Sequence, residues 1–126
     1  MNKNGRKKTG IAKSLFEVIC ALGQKRKFRK ISASEFFEMT RTKKDITIID
    51  CRDKEDYAEG HIDGAINIPY QIFMKNWQKA TKTKIVVTVC YLGIYGRAAA
   101  QKIARSGNHT AYTVIGGMQA VDKLNQ

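Results

Sequence analysis

The run Ile85-Val86-Val87-Thr88-Val89-Cys90 constrains the fold more than any other segment of the chain. It is β-branched almost throughout and shows no alternation of polar and apolar side chains, so it suits a strand covered on both faces. Such a strand belongs in the middle of a parallel sheet, where the crossovers between strands are helical. The flanking sequence supplies that alternation. Ser32 or Ser34 can cap a helix running through Glu35, Phe36, Phe37 and Met39, and Glu35 three residues after Ser32 makes the capping-box spacing. Residues 46–51 read as a short apolar strand ending in charge. Residues 53–58 read as one or two helical turns stopped by Gly60, and residues 65–68 as a strand closed by Pro69, the only proline. A helix over 72–80 precedes the 85–90 strand. After it come a loop holding Gly93 and Gly96, an alanine-rich helix from about Arg97 to Arg105, a strand over 111–115, a turn at Gly116-Gly117 and a closing helix over 118–124. Strands separated by helical crossovers imply an α/β fold with a parallel sheet and helices on both faces.

At 126 residues and 43% apolar composition, the chain has material for one domain with one modest core. Its formal charge of +12 is unevenly placed. Residues 1–30 hold ten basic residues against Glu17 alone, so +9 belongs to this segment and the remaining ninety-six residues carry only +3. Within it, Ile11, Leu15, Val18, Ile19 and Leu22 share one face of a helix over 11–22, flanked by Arg6-Lys7-Lys8 and Lys25-Arg26-Lys27. The expectation is a basic N-terminal extension over 1–27 ahead of a domain over 28–126. Two uses of the helix stay open: packing on the domain or a second copy, and peripheral contact of residues 1–30 with an anionic membrane. The apolar stretch is too short to span a bilayer and lacks a small-residue cleavage pattern. Three cysteines (Cys20, Cys51, Cys90) neither pair off nor show zinc spacing. The expected location is therefore cytoplasmic, with the inner face of the membrane as the peripheral site. No aromatics interleave the basic residues as a stacking platform needs, so no specific nucleic-acid partner is expected.

Chemistry concentrates where the central strand ends. Cys90 would leave the carboxyl end of a buried parallel strand, the edge at which open α/β sheets bind ligands. If the loop after it curls around the sulfur, successive backbone N–H groups converge there, and the dipole of the following helix adds positive potential. Such surroundings activate a cysteine as a nucleophile and would equally hold an anion carried on it. Gly93 suits a loop this tight because glycine tolerates positive φ and close backbone approach.

Two further segments extend the pattern. Residues 48–69 read IIDCRDKEDYAEGHIDGAINIP, which closely resembles the rhodanese family hallmark of a D-x-R strand end followed by E-(F/Y)-x-x-G-H-I-x-G-A-x-N-(I/V)-P. The loop Cys90-Tyr91-Leu92-Gly93, the pair Ala99-Ala100 and the stretch Val114-Ile115-Gly116-Gly117-Met118 match the family's other signatures in order, so the resemblance covers about residues 28–121. It implies a single-domain, rhodanese-like fold with a five-stranded parallel sheet. It also implies a sulfurtransferase in which Cys90 takes sulfane sulfur from thiosulfate or a persulfide donor, holds it as a persulfide, and passes it to a thiophilic acceptor such as cyanide or a thiol, including a protein thiol. The loop from Tyr91 through Leu92, Gly93, Ile94, Tyr95 and Gly96 to Arg97 would bind substrate and persulfide. Asp50 and Arg52 read as buried or half-buried partners that brace the sheet end near the loop, a structural role, and neither a metal nor an organic cofactor is required.

The chain departs from the family in one place that matters. Many active members continue C-x-x-G-x-R-(S/T), whereas here Tyr95 stands at the arginine and Gly96 at the hydroxyl, with Arg97 two residues late. A six-residue loop from Cys90 to Tyr95 resembles the sulfurtransferase branch. The related phosphatases use one residue more, end the loop in arginine and place histidine where Val89 stands, so phosphoryl chemistry is disfavoured. Arg97 is the candidate replacement charge for an anionic donor. Tyr95 and Gly96 also keep a second function open, a weakly active or inactive binding module docked through its basic helix. His61 and His109 lack a spacing partner for a Cys-His nucleophile and read as structural or exposed. Cys51 reads as packed core, and Val121 stands where the family often has tryptophan.

Overall fold

The computed structural model describes residues 28–43 and 45–125, so the expected helix over 11–22 lies outside the described residues. In chain order the elements are β1 (Phe28–Ile31), α1 (Ala33–Thr42), β2 (Ile46–Asp50), α2 (Lys54–Glu59), β3 (Ile66–Asn67), α3 (Tyr70–Ala80), β4 (Ile85–Val89), α4 (Ile94–Arg105), β5 (Thr110–Val114) and α5 (Gly117–Leu124). The five strands form one parallel sheet in the order β1-β5-β4-β2-β3. β4 is central, as its unbroken apolar run requires, and Val86 to Val89 are fully buried.

Successive residues of the inner strands point to opposite faces, and each face has its own helices. On one side Phe73 and Trp77 of α3, with Ala99, Ala100, Ile103 and Ala104 of α4, pack on Ile49, Cys51, Val86, Cys90 and Ala111. On the other, Phe36 of α1 with Met118 and Val121 of α5 packs on Ile31, Ile48, Val87, Val89 and Val114. The small alanine faces of α4 let its backbone lie close to the sheet. Ser32 is the N-cap of α1: its hydroxyl accepts from the Glu35 N–H at 3.0 Å and the Glu35 carboxylate accepts from the Ser32 N–H at 2.7 Å.

Most of the expected element bounds hold to within two residues, and two features differ more. β1 has no counterpart in the periodicity, because Arg29 and Lys30 fill its middle and both are exposed at the sheet edge, where among the described residues β1 pairs only with β5. Charged residues are a common feature of edge strands. α4 starts at Ile94, three residues earlier than expected. Gly93 takes a left-handed conformation (φ 104°, ψ −9°) and starts the helix at once.

Candidate active site

Cys90 is the first residue beyond β4, at the carboxyl edge of the sheet, and only 3% of it is exposed. Its Sγ accepts a hydrogen bond from the Gly93 N–H at 3.0 Å. Gly93 is also the N-cap of the twelve-residue α4, so the sulfur sits where the helix opens its unpaired N–H groups and the positive end of its dipole. Of the seven residues expected to form the loop, Tyr91, Leu92 and Gly93 do so. Ile94, Tyr95, Gly96 and Arg97 form the first turn of α4, closed by the Arg97 N–H on the Gly93 carbonyl at 3.2 Å.

Gly96 is buried, and its place has a steric explanation. A Cβ there would lie 3.1 Å from Thr113 Oγ1 and 3.4 Å from the Cys90 nitrogen, so the space a side chain would need is taken by the sheet. Thr88 Oγ1 donates to the Gly96 carbonyl and fixes this close approach. Tyr95 is 57% exposed, and its ring stacks on Tyr70, the first residue of α3, at a centroid distance of 4.6 Å. Arg97 is exposed one turn into α4.

The far wall of the cysteine loop comes from Gly116-Gly117, which the sequence suggests only as a turn. The Met118 N–H donates to the Cys90 carbonyl at 2.7 Å and the Gln119 N–H to the Tyr91 carbonyl at 3.2 Å. The first turn of α5 therefore holds the cysteine loop through two backbone bonds. Gly117, at φ 60°, lies so close that a Cβ would fall 2.2 Å from the Cys90 carbonyl oxygen and 2.7 Å from that of Tyr91. The signal for this contact was the Val114–Met118 stretch, but periodicity alone could not say what the glycines touch.

Asp50 and Arg52 come together at the end of β2, the strand beside β4. Asp50 is completely buried, and its carboxylate accepts from Arg52 Nε at 3.0 Å and Nη2 at 2.8 Å. Arg52 Nη2 also donates to the Gly60 carbonyl at 2.7 Å, tying the strand end to the turn after α2. Hydrogen bonding to Asp50 holds the guanidinium above its ordinary pKa. Asn67 Nδ2 completes the corner by donating to the Asp50 and Arg52 carbonyls. Cys51, between the ion-pair partners, turns to the face that carries Cys90 and is 3% exposed. Burial, then the neighbouring Cys90 and Asp50, push its thiol far above the ordinary range.

The histidines take other partners. His61 stacks on Tyr57 at 3.7 Å, and its Nδ1 lies 2.8 Å from the Tyr57 carbonyl. His109 Nδ1 is 2.7 Å from the Thr83 carbonyl, with the ring edge-on to Trp77. A groove of about 1180 Å³ lies between α1, α5 and the 59–64 turn; Tyr91 lines it and Cys90 does not, so the thiol chemistry is beside this groove and not in it. Among the described residues no cluster of three or more His, Cys, Asp or Glu side chains could hold a metal ion, and no helix is long and apolar enough to cross a membrane.

Comparison with known proteins bears on the family and the fold. The sequence model of the family described as Rhodanese-like domain matches residues 32–124. The thiosulfate sulfurtransferase GlpE of Coxiella burnetii is 35% identical over 92 residues, covering 73% of this chain and 85% of that protein. The Shewanella oneidensis protein of the same name is 33% identical over 98 residues, covering 78% and 96%. Among solved structures, a rhodanese-like domain protein from Staphylococcus aureus superposes with a TM-score of 0.66 at 28% identity, covering 74% of this chain and 90% of the other.

Proposed function

The chain belongs to the rhodanese-like domain family, and from that premise we propose that it is a sulfurtransferase that carries sulfane sulfur on Cys90 between a thiosulfate or persulfide donor and a thiophilic acceptor. The observation that carries this reading is the Cys90 sulfur on the Gly93 N–H, at the N-terminus of α4 and the end of the central strand. The similarity to two proteins named thiosulfate sulfurtransferase supports it.

In the first half-reaction the Cys90 thiolate attacks the outer sulfur of the donor. With thiosulfate, a new S–S bond forms at Cys90, the donor S–S bond breaks and sulfite leaves with its electron pair. The anion then sits on the outer sulfur of a Cys90 persulfide, where the Gly93 N–H and the α4 N-terminus oppose its charge. In the second half-reaction an acceptor such as cyanide or a thiolate attacks that outer sulfur and releases the Cys90 thiolate. Asp50 and Arg52 act as positioning residues that brace the neighbouring strand end, and Arg97 is the cation closest in sequence to the cysteine loop. The test is thiocyanate formation from thiosulfate and cyanide by the full chain. Wild type forms thiocyanate and Cys90→Ser does not; equal rates for the two would overturn the assignment of Cys90.

Residues 1–30 supply a separate function in this reading. Their ten basic residues and the apolar positions within 11–22 suit electrostatic attachment of the enzyme to the anionic inner face of a membrane, from the cytoplasmic side.

A further inference from the structure

We propose that the preferred donor is a persulfide borne on a carbon framework, R–S–SH, and that the side chains around Cys90 select it over the thiosulfate dianion. This inference rests on the sulfurtransferase reading and narrows its substrate class. Cys90 is almost wholly buried, yet the residues around it are large, apolar and open to solvent: Tyr91 is 57% exposed, Leu92 51%, Ile94 72%, Tyr95 57% and Ile115 55%. Four of them flank Gly93, whose N–H holds the sulfur. Ile115 joins them because Gly93 lies against the next segment, with a Cβ position only 3.2 Å from the Gly116 nitrogen. The patch thus forms a collar around a nucleophile, where an exposed apolar surface marks a binding site more readily than a scattered leucine does.

Charge points the same way. From residue 86 to residue 100 the only charged side chain is Arg97. The nearby guanidinium of Arg52 is committed to Asp50 and the Gly60 carbonyl. A thiosulfate dianion approaching a thiolate brings three negative charges together, with one exposed arginine a helical turn away. A persulfide brings one negative charge at most, and none in its protonated form. Its carbon framework also covers collar side chains that thiosulfate leaves wet. The stacking of Tyr95 on Tyr70 holds one side of the collar in place. The transfer balances without an added oxidant or reductant. The Cys90 thiolate attacks the outer sulfur of R–S–SH, the Cys90 S–S bond forms as the donor S–S bond breaks, and R–S⁻ leaves with the electron pair while the proton stays on the transferred sulfur.

The experiment compares kcat/KM for sulfur loading of the full chain by three probes: thiosulfate, N-acetylcysteine methyl ester persulfide, whose carbon framework carries no charge, and persulfidated serum albumin as a protein-borne source. At least one persulfide is expected to exceed thiosulfate tenfold or more, and the faster of the two identifies a free or a protein-borne donor. Tyr95→Arg is expected to move the persulfide-to-thiosulfate ratio at least tenfold towards thiosulfate. The double change Leu92→Asn with Ile94→Asn should move it the same way by slowing the persulfides. A wild type that loads from thiosulfate as fast as from both persulfides, or a ratio that moves less than threefold in both variants, would overturn the donor assignment. Failure of Cys90 to gain sulfur from any of the three probes would instead overturn the sulfurtransferase reading beneath it.

Discussion

Substitution of Gly117 by alanine should damage the cysteine loop from a position that carries no chemistry. The added methyl would fall 2.2 Å from the Cys90 carbonyl oxygen, 2.7 Å from the Tyr91 carbonyl oxygen and 2.8 Å from the Gly93 nitrogen, all backbone atoms that cannot rotate away. The φ of 60° adds the cost of a left-handed conformation, about 1 kcal/mol for a residue with a Cβ. To relieve the overlap, the first turn of α5 must retreat, and its bonds from Met118 to Cys90 and from Gln119 to Tyr91 lengthen or break. At about 1 kcal/mol for each bond, the expected loss is about 3 kcal/mol. Urea denaturation of wild type and Gly117→Ala measures it, and the rate of sulfur loading at low urea shows whether the displaced loop still presents Cys90. The rate should fall at least tenfold. A variant within about 0.5 kcal/mol of wild type that loads sulfur at the wild-type rate would refute the claim that this contact shapes the site.

Three further outcomes test other parts of the chain. Asp50→Asn removes the carboxylate from an ion pair whose aspartate is wholly buried and whose arginine side chain is 9% exposed; urea denaturation should show a loss of about 3 kcal/mol, the cost of leaving a buried charge unpaired. The Cys51 thiol stays protonated in the folded state, whereas in the unfolded chain it ionises near pH 8.5, so its contribution is complete below that pH and is lost as pH rises above it at about 1.4 kcal/mol per pH unit. Cys51→Ala should therefore lose less stability than wild type between pH 8 and pH 10, and parallel pH profiles of the two would contradict the shift. Finally, the full chain should float with vesicles containing anionic lipid at low salt and be released at high salt, because a Debye length shortened by salt screens electrostatic attachment; flotation that ignores salt and lipid charge would exclude it.

How much of this was legible in the sequence depends on whether the determinant was local. The Ile85–Cys90 run placed β4 at the centre because burial on both faces leaves an unbroken apolar run, and the Ser32–Glu35 spacing located the start of α1 because a capping box lies within one turn. β1 was invisible to periodicity, since Arg29 and Lys30 occupy the middle of an edge strand whose pairing with β5 spans some eighty residues of sequence. Cys90 was recognisable from its position after the strand, but the onset of α4 was not. Two glycines three apart look like one loop, whereas Gly93 turns the chain and Gly96 is packed inside the helix against Thr113. The role of Gly117 depended on a contact between segments more than twenty residues apart, which no local pattern encodes. The Asp50 and Arg52 pairing was readable from the D-x-R spacing, while the bond from Arg52 to the Gly60 carbonyl required the fold.

The account turns on sulfur being carried covalently by Cys90. Its most direct test is the intact mass of the full chain after exposure to thiosulfate or N-acetylcysteine methyl ester persulfide and removal of the donor. Wild type should gain one sulfur atom, located on the peptide that contains Cys90, and lose it on addition of cyanide; Cys90→Ser should gain none there. No added sulfur on wild type from either donor, or equal loading of Cys90→Ser, would contradict the account.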